Sequence, residues 1–543
     1  MSFKRTKAEL NKELLQNARF GNTKNFKICL KDGANAIFQD LDGLNALHYA
    51  VRKEHIEIGK LLIDSGSDLN LQDDIGFTAL HQAAFKEQTK FAKLLIAGGI
   101  YLNIQNRFGK SALHVSTSNK KTDIVKSLIE GGIDLNLQDK DGLTALHAAT
   151  RKEHTQIVQL LIDEGSKLNV QDKEKKSALH FATLNKKTDI AKSLIDGGID
   201  LNLKDKDKKS VFHRAILLRN TEILKFLIEG GIALNLKDKN GLTALHAATT
   251  EENTKIVHLL IGHSTDLNLK DKNGQSALHY ATANKNTEIT KLLIDGGIDS
   301  ELQDKDGCTA LHAATNKENT KLVEFLIGHG RGLNSQDKNG QSALHYATAH
   351  KNTEINKLLI DGGIDSELQD KDGCTALHAA TNKENTKIVQ FLIESGRGLN
   401  LQDKNGKSAL HYTTTHQKTE IAKLLIKGGI DPKLQDKDDC TALHAATSNE
   451  NTKLVQFLIG PGRGLNLQDK DGQSAFHNAV STSKTGLVKI LATGGSDVNL
   501  QNKHGWTALH SGAWIGEVEI VNLIIDIGNH INVKAKQIHE STK

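Results

Sequence analysis

Apolar and polar positions follow a pattern along this chain that recurs every 33 residues. Residues 139–171 show one period. A polar turn, Asp139-Lys140-Asp141-Gly142, precedes Thr144 and a run from Ala145 to about Lys152. A second run carries Ile157, Val158, Leu160, Leu161 and Ile162, near the 3.6-residue spacing that gathers apolar side chains on one helix face. The pattern predicts a turn in which Gly142 takes a positive φ. It then predicts a helix capped by Thr144, a second helix, and a left-handed stop at Gly165. Leu168-Asn169-Val170 leads into the next turn. Helices this short cannot bury an apolar face alone, so copies of the unit must stack into one continuous core.

The period is marked by a Thr/Ser-Ala-Leu-His unit or a close variant. Its fifteen histidines run from His48, His81, His114 and His147 to His510 without an insertion. Asp or Asn stands eight residues before each histidine and Gly five before it in most units. Gly stands eighteen after it, except at Ser264, and Asn usually stands twenty-two after it.

These residues closely resemble the ankyrin repeat, Asp-x-x-Gly-x-Thr-Pro-Leu-His-x-Ala-Ala followed by a second helix and Gly. The resemblance covers nearly the whole chain. It implies an all-α solenoid of stacked helix–turn–helix units with projecting β-turn fingers. Residues 1–39 then form an N-terminal segment with a worn capping unit over 7–39, where Leu15 stands in the histidine position. Fifteen full repeats follow over 40–534, and 535–543 form a tail.

The sequence departs from the family pattern in three ways. Ala replaces the motif Pro almost throughout, as at Ala145, Ala244 and Ala310. Only Gly21 and Gly516 keep the glycine six residues after the histidine position. If the residues standing there are left-handed, each costs roughly 1 kcal/mol. Residues 172–216 depart further, with Lys175 and Lys208 in place of turn glycines, and the weakest stacking or a bend is expected there. A second period overlies the first. Residues 301–366 and 367–432 differ at 13 of 66 positions, which points to duplication of a two-unit block. Such copies suit a repetitive ligand or a spacer of set length.

Composition narrows the function classes. At 543 residues the chain exceeds one compact core, which a linear stack resolves. The net charge of +5 is small for this length and argues against a dedicated nucleic-acid binder. Cys29, Cys308, Cys374 and Cys440 suggest no disulfide framework. No secretory signal, lipidation box or apolar run of membrane-spanning length stands out. The expected location is cytoplasmic, with a nuclear or secreted-effector location left open. No phosphate loop, nucleophile elbow or His-Glu-x-x-His helix occurs, so no enzyme, cofactor or metal is expected.

Several residues invite chemistry. Fifteen histidines in register suggest metal binding, but stacked helices sit about 10 Å apart and zinc needs ligands near about 2 Å on one centre. Each histidine is expected instead to close the first turn of its own helix and bond local backbone. Lysines seven before each histidine, from Lys140 to Lys503, are balanced by neighbouring Asp. The exceptions are the tips carrying Lys175, Lys176, Lys208 and Lys209, which could hold an acidic partner. Tyr49, Phe181, Tyr280, Tyr346 and Tyr412, one after the histidine, are expected to pack between units.

In ankyrin proteins the fingers and the inner face of the first helix contact partners. Here those positions lie seven, six and four before the histidine and four and five after it. Most are small or polar; Phe77, Phe85 and Phe108 on adjacent units, and Trp506 and Trp514 on one unit, are not. Exposed aromatics mark contact sites; the bland alternative is packing within the stack. The expected function is that of a scaffold or adaptor that binds a protein partner, as a monomer, with no small-molecule substrate and no membrane insertion. The alternatives are a pathogen or symbiont effector that binds a host protein, and a structural spacer. A phosphoinositide or nucleic-acid binder ranks below these.

Overall fold

Thr144 starts the helix predicted for it. Its hydroxyl accepts from the His147 backbone N–H, and the His147 ring accepts in turn from the Thr144 N–H. This reciprocal cap opens a short helix, Ala145–Arg151, and a second one follows at Thr155–Asp163. Ile157, Val158 and Leu161 on the second helix are fully buried. Gly165 then turns left-handed, at φ 80°. The structure is a computed structural model, and it describes residues 5–528 apart from 264, 330–331, 415–417 and 461. Tail residues 535–543 lie outside the described residues.

The same helix pair recurs along the chain, so the fold is an all-α solenoid. It divides into two compact units, Met1–Lys272 and Asn273–Lys543. The first pair, Lys7–Phe20 and Thr23–Lys31, buries Leu14, Leu15, Phe26 and Cys29. Among the described residues the only β pairing is isolated bridges at finger bases, such as Lys204 with Ser210.

Hydrogen bonds between successive repeats explain why the spacing never slips. The His147 Nε2–H donates to the Lys176 carbonyl of the next repeat at 3.2 Å. The histidines thus bridge repeats as well as cap their own helices. The Asn136 side chain accepts from the Lys167 N–H at 2.7 Å. Gln138 donates to Gly142 O at 2.8 Å and to Gln171 O, one period on, at 3.2 Å. The Lys173 N–H reaches Asp141 O at 3.0 Å. One inserted residue would break all of these at once. A backbone group buried without its partner costs about 1–3 kcal/mol.

Among the described residues, those six after the histidines are left-handed, as the missing glycines implied. Thirteen of them are not glycine, with φ between 53° and 67°, and Lys186 and Lys351 are among them. Each is therefore a site of removable strain. Lys186→Gly and Lys351→Gly are each expected to raise stability by about 1 kcal/mol, read as a higher urea midpoint. An unchanged or lower midpoint in both would show that the left-handed backbone carries no strain.

The weak region is not where the sequence placed it. Over 172–216 the helices Ala178–Leu184, Thr188–Asp196 and Val211–Leu217 are regular. Arg214 supports that stretch, because its guanidinium meets the Asp205 carboxylate at 2.5 and 2.9 Å. The interruption falls instead after Ser408. There the first helix shrinks to a 3-10 turn, His411–Thr413. Its sequence, Tyr412-Thr413-Thr414-Thr415, replaces the Tyr346-Ala347-Thr348-Ala349 of the sister unit. The Thr413 and Thr414 hydroxyls both bond carbonyls three residues back, at 2.7 Å, and β-branched residues lose rotamer freedom in a helix. Lys418 also turns inward here, donating to Thr381 O and Asn382 O at the end of the neighbouring helix Ala376–Asn382.

Candidate partner-binding surface

The candidate surface is built from fingers and from the exposed end of each first helix. In each finger a carboxylate or amide shapes the turn: Asp139 Oδ1 accepts from the Asp141 and Leu143 N–H groups at 2.9 and 3.0 Å. Gly142 holds the close approach of the next finger, since a Cβ there would lie 2.9 Å from Lys173 N. In several units the residue after the histidine satisfies the second carboxylate oxygen. Tyr49 donates to Asp40 at 2.6 Å, Tyr346 to Asp337 at 3.0 Å and Tyr412 to Asp403 at 2.7 Å. Burial and the Asp40 bond push the Tyr49 phenol up to about 12.

Phe77 and Phe85 come together, whereas Phe108 stands apart. Phe77 links a finger to the cap residue Thr78 and is half-buried, its ring 5.4 Å from His81. Its carbonyl accepts from His48 Nε2 at 2.9 Å. Phe85, near the end of helix Ala79–Lys86, is 56% exposed, and the Lys86 ammonium lies 5.8 Å from its ring centre. Both line a cleft of about 630 Å³ with Arg19, Tyr49, Arg52 and Lys86. Phe108 is 59% exposed on the following finger, outside that cleft.

The Trp pair does not enter the core. The two rings lie 5.6 Å apart at 59°, with Trp506 37% and Trp514 79% exposed. Packing within the stack would have buried Trp514; the rings instead meet each other at the surface. The Trp506 carbonyl is structural, accepting from His477 Nε2 at 3.3 Å.

At the lysine-rich tips the acidic side chains of Glu174 and Asp207 pair with neighbouring lysines rather than with Lys175, Lys176, Lys208 or Lys209. Lys206 pairs with Glu174 at 3.2 Å, and Lys239 pairs with Asp207 at 2.8 Å. Lys175 and Lys208 are left-handed, at φ 58° and 57°. That strain does not single them out, because thirteen further non-glycine residues share it six after their histidines. The Lys176 and Lys209 carbonyls accept from His147 and His180, so those two residues hold the stack through their backbones.

Sequence reasoning missed Arg19 and Arg52 as members of the cleft, although a signal was present. Arg19, Arg52 and Phe85 each stand four residues after the histidine position, on three successive repeats. The row is mixed, two guanidinium groups and one aromatic ring, so its aromatic member alone does not reveal it. Among the described residues no group of three or more His, Cys, Asp or Glu side chains could hold a metal ion. None of the described helices is long and apolar enough to cross a membrane.

A family model described as ankyrin repeats (3 copies) matches the chain in ten overlapping stretches, from 14–106 to 443–535. No curated protein matches it.

Proposed function

The chain belongs to the ankyrin-repeat family, and on that premise we propose that it is a scaffold or adaptor that holds a partner protein against its fingers and first helices. Ankyrin repeats are a general protein–protein interaction module, which supports the coarse reading. The observation that carries the finer one is the cleft in which Tyr49, Phe77 and Phe85 meet Arg19 and Arg52. Tyr, Trp and Arg are the side chains that most often dominate binding energy. A preformed cleft also loses little ordering entropy on binding. Trp506 and Trp514 offer a second anchor, and Phe108 extends the first. The protein acts in this reading by binding rather than by catalysis, in the cytoplasm.

Affinity purification with mass spectrometry tests the proposal on the full chain. Three baits are compared: the unaltered chain, Phe77/Phe85/Phe108→Ala and Trp506/Trp514→Ala, each checked for unchanged helical circular dichroism. A partner held by the unaltered chain and lost from one folded variant is the expected result, and it locates the docking end. Enrichment of nothing above background by any bait would sink the anchor idea and favour a structural spacer.

A further inference from the structure

From the chemistry of the cleft around Phe77 and Phe85 we infer that its occupant is an acidic, extended segment of a partner protein, carrying at least one aromatic or large aliphatic side chain. This rests on the scaffold reading above and specifies which chemistry the scaffold selects. The cleft carries an excess of positive charge over an apolar floor. Arg19, Arg52, Lys53 and Lys86 all line it, against the single carboxylate of Asp42. No ion pair within 4.0 Å joins any of the four cations to a carboxylate among the described residues, so the charge of the cleft is not cancelled by a direct partner. Arg52 instead spends one donor on the Gln82 side-chain oxygen at 2.9 Å, which fixes its direction and leaves the rest of its fork open. Arg19 lies 6.0 Å from the centre of the Tyr49 ring. A cation resting on an aromatic face is pre-positioned, and it keeps its charge for an incoming carboxylate.

The floor explains why the ligand is a peptide rather than a bare anion. Phe77, Phe85 and Ile75 line the same cleft, and Phe85 and Ile75 are exposed without a partner of this chain covering them. A phosphate or a polyanionic backbone would leave that apolar area wet. A peptide with acids beside an apolar side chain fills both parts, and a volume of about 630 Å³ accommodates a few residues. Residues 529–543 are excluded as the occupant by charge, since they hold Lys534, Lys536 and Lys543 against Glu540. Bases also stack on aromatics beside Arg, so a single-stranded nucleic acid is the competitor to test against.

The experiment uses the full chain as bait for a phage-displayed library of random twelve-residue peptides. The strongest binders are then synthesised and titrated, with a twelve-nucleotide oligothymidine titrated in parallel. Enriched peptides are expected to carry net negative charge and at least one large apolar residue. Their affinity should fall as salt rises. Arg52→Glu, Lys53→Glu and Phe85→Ala, three exposed positions, are each expected to weaken it by about tenfold or more, while Lys489→Ala, an exposed position on helix Thr485–Thr493 outside the cleft, leaves it unchanged; Trp506/Trp514→Ala is titrated alongside. Enrichment of peptides without acids, or binding that the three cleft variants do not weaken, would overturn the inference. So would tight oligothymidine binding lost in Arg52→Glu with no acidic peptide enriched. If the selected peptides are lost only from the Trp variant, the scaffold reading stands and the cleft inference falls. If neither a peptide nor a cellular protein binds any part of the chain, both fall together.

Discussion

At pH 5 the chain is expected to unfold at a far lower urea concentration than at pH 7.5. The cause is the buried histidine in the first helix of most repeats. His81 Nε2 donates to the Lys110 carbonyl at 2.9 Å, while its Nδ1 faces the Thr78 N–H and hydroxyl. A second ring proton would set two donors against each other in a buried site. Burial is the largest influence, and it lowers His81 and His180 from an ordinary 6.5 to about 4. The same direction, with the same leading cause, holds at His48, His114, His147, His213, His312, His345, His378, His411, His444 and His477.

The sign follows from where the proton binds. The folded value lies below the unfolded one, so the unfolded chain takes up more protons and acid favours it. The full contribution is present above about pH 7. It declines as pH falls through 6.5 and is exhausted only near 4. For a group shifted from 6.5 to about 4 the loss at pH 5 is about 2 kcal/mol. Two such groups together approach the net stability of a marginal domain, about 5 kcal/mol. Urea titrations at pH 7.5, 6.5, 5.5 and 5 check this. Stability that stays flat over that range would mean the histidines are not buried neutral.

The second large effect concerns how many residues are removed. Deleting 301–366 is expected to leave a stably folded chain, whereas deleting 334–366, half as long, destabilises it. Successive interfaces in this region are of two kinds. Where the repeat at His312 meets the repeat at His345, Tyr346 packs edge-on to His312, with ring centres 5.5 Å apart. Its hydroxyl lies 3.5 Å from Cys308 Sγ. Tyr412 does the same with His378 and Cys374, at 5.6 and 3.4 Å. At the alternate interface a long side chain replaces the bridging Asn and glycine makes room for it. A Cβ on Gly332 would lie 3.0 Å from Glu301 Cγ, and one on Gly398 would lie 2.9 Å from Glu367 Cγ.

The 66-residue deletion joins Ser300 to Glu367 just as Ser366 joins it now, and every interface keeps its kind. The 33-residue deletion sets His312 and Cys308 against Ala379. It loses the Tyr346 ring and the bond from Asn334 to the Asp365 N–H, at 2.8 Å. Losing one half-buried aromatic costs roughly 1–2 kcal/mol. Stability in a solenoid is approximately a sum of repeat and nearest-neighbour terms, so the mismatch should appear directly in the urea midpoint. Ala379→Tyr in the shorter deletion should recover most of it. Equal midpoints for the two deletions, or no recovery, would refute the complementary pairing.

Much of this protein is written in local chemistry, and that part was legible. Thr144, His147 and Gly165 specify a cap, a first turn and a stop using only near neighbours. A 33-residue repetition of such signals leaves stacking as the one way to bury Ile157, Val158 and Leu161. The left-handed residues were legible conditionally, because the place of a missing glycine shows where strain must sit.

What the tertiary structure alone decided is what crosses from one repeat to the next. The Nε2 bond of His147, the Gln138 ladder and the pairing of Cys308 with Tyr346 join residues 29 to 38 positions apart, and no local rule relates them. The interruption at His411–Thr413 goes with two threonine hydroxyls, of Thr413 and Thr414, bonding carbonyls three residues back, not with the lysine-for-glycine changes that looked worse. Arg19, Arg52 and Phe85 occupy the same position in three repeats, but they become one cleft only when stacking removes the 33 residues between them. Sequence fixes which side chains a repeat offers to a partner; packing fixes which of them meet, because proximity across repeats is a property of the stack.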